Sequence, residues 1–267
     1  MFWVNGQRAD SIALSDRSFQ YGDGCFTTIL TRHSQIEGWS AHVTRMEACL
    51  RLLGIEFPDW QQVRQWLETA SLPAAKAGLK LHVSRGEGGR GYSPAHVTTP
   101  NVTISHFPFP AHYEQWQQNG VALGVCERRL GHNPLLAGHK HNNRLEQVLL
   151  KQELDEQGYA DGLALDIDGF VIETTMANLF WCREDTLFTP DLRLAGVAGT
   201  MRERVLQCAL TMGLHIEVGQ FTLCDIEQAD EVFICNALLG VAPVSAISHK
   251  MFTIGPQTRR FQENLSS

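Results

Sequence analysis

Apolar residues recur at two different spacings along this 267-residue chain, and the spacing separates strands from helices. Phe2-Trp3-Val4 and Gln7-Arg8-Ala9 flank Asn5-Gly6, a pair suited to a type I′ turn, so an N-terminal hairpin is predicted. Cys25 to Thr31 alternates as a strand rich in β-branched residues. Ser40 is placed to cap a helix whose His42, Arg45, Met46, Cys49, Leu50 and Leu53 fall at intervals of three and four. A second helix is expected over Trp60 to Ala70, with strands at Leu79 to Ser84 and Asn101 to His106. Between those strands lies a glycine-rich loop, Arg85-Gly86-Glu87-Gly88-Gly89-Arg90-Gly91-Tyr92.

Phe107-Pro108-Phe109-Pro110-Ala111 resists both helix and central strand, because each proline lacks a backbone donor. We place a linker there, over 108–114, between a smaller N-terminal domain (1–107) and a larger C-terminal one (115–267) that carries Lys140. The second half predicts a strand at Val121 to Cys126 and a long helix ending near Gln157. A hairpin follows, with Leu163-Ala164-Leu165 and Phe170-Val171-Ile172 around Asp168-Gly169. Further strands are expected at Asn178 to Cys182, Val232 to Cys235 and Val241 to Ile247, with a helix from Thr200 to Met212. The fold class is mixed α/β.

Charge and cysteine usage narrow the function classes. The balance of 22 basic against 29 acidic residues, with no basic stripe, makes nucleic acid a poor partner. No apolar run approaches the ~20 residues that span a bilayer, and the first residues lack a signal-peptide pattern, so the cytoplasm is expected. The seven cysteines are scattered with no CxxC pair, which fits a reducing compartment and argues against a zinc site or disulfide frame. His139 and His141 flank Lys140 but do not share a helix face, so no metal role is expected.

Three segments carry candidate chemistry. Lys140 lies where an apolar loop, Pro134-Leu135-Leu136-Ala137, gives way to a helical run. An ammonium held against apolar neighbours loses hydration, and its neutral amine becomes easier to populate, as an imine-forming lysine requires; a surface lysine near a helix start is the alternative. Glu173 sits between apolar strand segments, where a carboxylate is costly to bury unless a cation meets it. It could serve an ordinary ion pair or a protonated pyridine nitrogen. Gly196-Val197-Ala198-Gly199-Thr200-Met201-Arg202 opens a helix, whose first-turn N–H groups make an anion cradle.

The ordered set Tyr21-Gly22-Asp23-Gly24, His42-x-x-Arg45, Lys140, Glu173-x-x-x-x-Asn178 and Gly199-Thr200-Met201-Arg202 resembles the fold type IV pyridoxal-phosphate enzymes. These comprise branched-chain aminotransferases, D-amino acid aminotransferases and aminodeoxychorismate lyases. The resemblance spans nearly the whole chain, to Asp230 through Ala237. It implies a two-domain fold with the active site between the domains, pyridoxal 5′-phosphate as cofactor, and a homodimer. Lys140 would bond the cofactor aldehyde and move protons, and Glu173 would hold the pyridine N–H, with Asn178 in the same set. Arg45 and the backbone N–H groups of Thr200 and Met201 would bind the phosphate, helped by the backbone around Asn236 and Ala237. Two positions depart from the aminotransferases. Ala237 stands where a threonine is frequent, and Leu145 where branched-chain enzymes carry a tyrosine to the ring hydroxyl, leaving Asn143 or Arg144 as candidates.

Within the family, the Lys140–Gln147, Ser84–Tyr92 and Phe19–Thr28 segments are similar to the lyases. That implies elimination of pyruvate from 4-amino-4-deoxychorismate, a substrate with two carboxylates. A guanidinium grips a carboxylate with two parallel hydrogen bonds, so Arg90 is assigned to substrate and Arg85 stays open between substrate and structure. Tyr92 lies on the same loop, and the hydroxyl of Thr27 or Thr28 is a candidate neighbour of the leaving group. A D-amino acid or branched-chain aminotransferase is the rival within the family, and a non-catalytic ligand-binding protein the rival outside it.

Overall fold

A computed structural model describes residues 1–97 and 99–265, which divide into two compact units. The first comprises 1–109 together with 139–143, and the second 110–138 and the chain from 144 onward.

In the first unit the elements are β1 (Phe2–Val4), β2 (Gln7–Arg8), α1 (Arg17–Tyr21), β3 (Gly24–Arg32), β4 (Gln35–Ile36), α2 (Trp39–Leu53), α3 (Trp60–Ala70), β5 (Ala77–Ser84) and β6 (Asn101–Pro108). The strands form one antiparallel sheet in the order β2-β1-β6-β5-β3-β4. The predicted hairpin is present, with φ of 48° at Asn5 and 80° at Gly6. A side chain at 6 would also collide with Trp66, whose indole nitrogen lies 2.2 Å from the Cβ position. Asp59 caps α3 by accepting from the N–H groups of Gln61 and Gln62, and Val63, Leu67 and Ala70 face inward. They meet Ile29, Leu79, Leu81 and Val83 from the sheet and Met46, Cys49 and Leu50 from α2. Each large aliphatic group so buried contributes about 1.5–3 kcal/mol.

The second unit holds α4 (His112–Asn119), β7 (Val121–Leu130), α5 (Leu145–Gln157), β8 (Asp161–Asp166), β9 (Val171–Thr174), β10 (Asn178–Arg183), β11 (Thr186–Pro190), α6 (Thr200–Thr211), β12 (His215–Gly219), α7 (Leu223–Glu227), β13 (Glu231–Asn236), β14 (Gly240–Ile247), β15 (Lys250–Met251) and α8 (Pro256–Leu265). Its sheet runs β12-β11-β10-β13-β14-β7-β8-β9, with β15 beside β14. The pairs β11–β12, β7–β14 and β7–β8 are parallel. Phe180 and Phe233 stack with ring centres 5.2 Å apart at the heart of one core, against α6 and Phe261. Leu130, Leu150, Leu154 and Ile172 belong to a second core between α5 and the sheet.

Several expectations need correction. Ser40 does not cap α2: the cap position is held two residues earlier by Gly38, the helix starts at Trp39, and Trp39 packs edge-on against Trp60 at 6.1 Å. The expected linker is shorter than 108–114, because Phe107 and Pro108 still pair with Gly78 and Ala77, and α4 has begun by His112. Lys140 does not group with the C-terminal unit. The backbone of 140–142 is fastened to β3, with Phe26 N–H donating to Lys140 O, Asn142 N–H donating to Gly24 O, both at 3.0 Å, and a bridge between His141 and Cys25.

Candidate active site

Register in β3 sorts its side chains onto two faces. Cys25, Thr27 and Ile29 point into the core and are at most 1% exposed, while Phe26 and Thr28 are half-buried on the other face. Over Phe26 lies the Lys140 ammonium, 4.8 Å from the ring centre, and Lys80 from β5 approaches the same ring at 4.6 Å. A ring face attracts a cation through its quadrupole, so Phe26 gives Lys140 an apolar yet cation-tolerant seat. Nothing in the spacing of the sequence pointed to Phe26 or Lys80.

Arg45 projects from α2 toward β3. One terminal nitrogen, Nη2, donates to Thr27 Oγ1, and Nε is buried with no hydrogen-bond partner among the described residues. Burial pulls its pKa down to about 10, with no carboxylate opposing that loss. A buried guanidinium that keeps an unused donor is suited to an anion that arrives with a ligand. Thr27 is fully buried in this cluster, whereas Thr28 is half-buried on the Phe26 face.

The glycine-rich loop treats its arginines differently. Arg85 is 9% exposed and spends its donors on Asp23 (2.7 and 3.1 Å) and on the carbonyls of Gly54 (2.9 Å) and Leu53 (2.6 Å). Its role is structural. The residue that shapes the loop is Arg17, which sequence reasoning missed: buried at 3% exposure, it pairs with Asp23 at 2.8 Å and donates to the carbonyls of Gly88, Gly91, Tyr92 and Ser93. Burial works to raise the Asp23 pKa, but hydrogen bonds from Arg85 and Arg17 outweigh it and hold the carboxyl below its ordinary value. Arg90 is exposed, and its side chain makes no hydrogen bond or ion pair among the described residues. Tyr92 is 89% exposed, its ring edge-on to Tyr21 at 5.6 Å. Asn143 Nδ2 donates to Gly22 O at 3.2 Å, and Leu145 is exposed.

In the second unit Glu173, on β9, is 6% exposed. Its Oε2 accepts from the Val197 N–H at 3.0 Å and faces Asn178 Nδ2 at 3.5 Å. Asn178 ties this carboxylate to the loop before α6, donating to Val197 O at 2.8 Å and accepting from the Gly199 N–H at 3.1 Å. Gly138 fastens the far side of that loop by donating to Gly196 O and accepting from the Ala198 N–H, each at 2.9 Å. A Cβ at Gly199 would lie 2.2 Å from Asn178 Oδ1, so only glycine fits. No side chain caps α6, and the first-turn N–H groups, at Thr200 and Met201, are left for another acceptor. Arg202, one residue further, donates to Pro190 O at 3.0 Å, and its Nε is buried without a partner among the described residues. Asn236 uses its side chain on its own turn, accepting from Leu238 and Leu239 N–H groups, while Ala237 is half-buried beside it.

Each unit by itself carries groups of the chemistry a phosphorylated pyridoxal would use: a seated lysine and a guanidinium with a spare buried donor in the first, an uncapped helix start and a buried carboxylate in the second. No group of side chains suited to a metal ion occurs among the described residues, and every cysteine named among them is free. Residues 24–247 match the family described as amino-transferase class IV. The chain belongs to the class IV aminotransferase family. Among curated class IV relatives, an aminodeoxychorismate lyase of Vibrio harveyi is 58% identical over 100% of both chains. A D-alanine aminotransferase of Bacillus licheniformis is 28% identical over 96% of this chain and 91% of that one. Among solved class IV structures, 4-amino-4-deoxychorismate lyase of Pseudomonas aeruginosa matches with a TM-score of 0.93 at 39% identity, over 99% of this chain and 98% of that one. The mixed α/β, fold type IV architecture expected from the motifs is the one observed.

Proposed function

We propose that the protein is a pyridoxal-phosphate-dependent lyase that converts 4-amino-4-deoxychorismate to 4-aminobenzoate and pyruvate, a step of folate biosynthesis. Full-length identity of 58% to a lyase, twice that to the aminotransferase, carries the choice of reaction. The cofactor, when bound, supplies an electron sink for the carbon that bears the substrate amine.

The chain's own residues divide the remaining work. Lys140 would hold the cofactor through its amine and would take the proton from the ring carbon bearing the substrate amino group. The bond from the neighbouring carbon to the enolpyruvyl oxygen breaks with its electron pair on oxygen, and protonation of the enol gives pyruvate. Aromatisation of the ring makes this downhill. Glu173 would keep the pyridine nitrogen protonated, its own geometry being set by the Val197 N–H and Asn178. Arg45 and the first turn of α6, with the turn at Asn236 and Ala237, hold the phosphate. Arg90, exposed on a loop that Arg17 anchors, meets a substrate carboxylate beside Tyr92 and Thr28. Arg85 is kept out of this set by its four hydrogen bonds.

No helix among the described residues is long and apolar enough to cross a membrane. A cytoplasmic homodimer acting on a small dianion, without nucleic acid or membrane partners, completes the proposal. The test is Lys140→Ala. Loss of pyruvate release by at least about a thousandfold supports the assignment; a variant near the wild-type rate ends it.

A further inference from the structure

We infer that His42 is a positioning residue for the cofactor phosphate, acting through the Thr27 hydroxyl to hold the Arg45 guanidinium. The inference rests on the proposed phosphate role of Arg45 and adds a residue that makes no contact with the ligand itself.

Chemistry fixes the direction of one of the two hydrogen bonds. Arg45 Nη2 contacts Thr27 Oγ1, and that same oxygen lies 2.7 Å from His42 Nδ1. A guanidinium only donates, so Thr27 accepts from Arg45. The hydroxyl meets His42 Nδ1 with its own proton or with its second lone pair, according to the tautomer, and in either case the imidazole pins the oxygen. His42 is 4% exposed, and burial, followed by the charge of Arg45, pulls its pKa to about 3, so the ring is held neutral.

The chain of bonds settles how Arg45 is oriented. Thr27 is immobile on β3, and His42 precedes Arg45 by one helical turn on α2. With Nη2 held by Thr27, the guanidinium plane is fixed and the buried, unpartnered Nε keeps one direction. The neighbouring Cys25 thiol does not neutralise the cation. Cys25 lies far above its usual pKa range, through its hydrogen bond with Cys49 and through burial, and stays protonated. The orphan donor therefore awaits an external anion, and losing the His42 partner frees Thr27 to rotate and Arg45 to follow.

The test compares two ligands on the apoprotein, pyridoxal phosphate and pyridoxal, which differ only in the phosphate. Binding is followed by cofactor absorbance for wild type, His42→Leu, His42→Asn and Thr27→Val. The amide of asparagine can replace Nδ1 as hydrogen-bond partner, whereas leucine cannot. We expect His42→Leu and Thr27→Val to weaken pyridoxal phosphate by about tenfold or more and leave pyridoxal unchanged. His42→Asn should recover to within about threefold of wild type. Equal losses for both ligands, or none, overturn the inference, because a general packing defect does not distinguish them. If His42→Leu fails to fold, His42→Asn and Thr27→Val decide alone. Failure of wild type to bind pyridoxal phosphate would instead strike at the proposed function.

Discussion

Phe26 holds Lys140 at both ends: its N–H donates to the Lys140 carbonyl at 3.0 Å, and its ring lies under the ammonium at 4.8 Å. The backbone bond fixes where the lysine leaves the chain, and the ring fixes where its nitrogen rests. A cation held over a ring face in this way is stabilised by about 0.5–2 kcal/mol.

Phe26→Leu keeps an apolar seat but removes the quadrupole that attracts the ammonium. Titration of the apoprotein with pyridoxal phosphate at one pH, followed by absorbance, should show adduct formation weakened by about threefold or more. Wild-type affinity would mean that the ring does not seat the lysine.

Asp23 links Arg17 and Arg85, and its carboxyl titrates below the ordinary 3.8. A depressed acid contributes stability that is complete above the unfolded-state pKa and is lost as pH falls through the folded one. Asp23→Asn leaves two buried cations underneutralised and should cost about 3–5 kcal/mol at pH 7. Thermal melts should show the gap to wild type closing as pH drops below about 3.8; a gap constant with pH would contradict this account.

The arginines of the glycine-rich loop should separate by assay. Arg90→Met is expected to leave the melting temperature within about 2 °C and raise KM for the substrate about tenfold or more. Arg85→Met should lower stability by several degrees, since it strands the Leu53 and Gly54 carbonyls. The reverse pattern would exchange their roles.

Local signals were legible where one segment decides its own structure. Trp60–Ala70 carries its cap and its apolar stripe within a dozen residues, and Asn5-Gly6 dictates its own turn. Strand β11 escaped because its partners, Trp181 to Arg183 and the mostly exposed β12, lie elsewhere in the chain. The same limit applies to the site. Lys140, Glu173 and the α6 start stand out by motif, but the carbonyls of Leu53 and Gly54 that claim Arg85 are over 30 residues away from it. Which face of β3 carries Thr27 is set by pairing with β5, not by the alternation alone. Arg17 had no local mark, since the four carbonyls it gathers lie more than 70 residues on.

Gly199→Ala probes the phosphate cradle without touching a charge. Its φ of −73° suits any residue, so the cost arises from the 2.2 Å approach to Asn178 Oδ1. Displacing Asn178 disturbs both Glu173 and the α6 start. Apoprotein titration should give a weaker pyridoxal phosphate complex by about tenfold or more, with destabilisation of about 1–3 kcal/mol. Wild-type affinity would show the cradle to be dispensable.

The proposed reaction meets its most direct test in product stoichiometry. Protein loaded with pyridoxal phosphate is given 4-amino-4-deoxychorismate, and pyruvate is followed by a coupled assay while 4-aminobenzoate is followed by its fluorescence. Equimolar release of both, with the cofactor absorbance largely unaltered after exposure to D-alanine or leucine, is the predicted result. No pyruvate, together with conversion of the cofactor to its amine form by either amino acid, would contradict the lyase assignment and identify an aminotransferase.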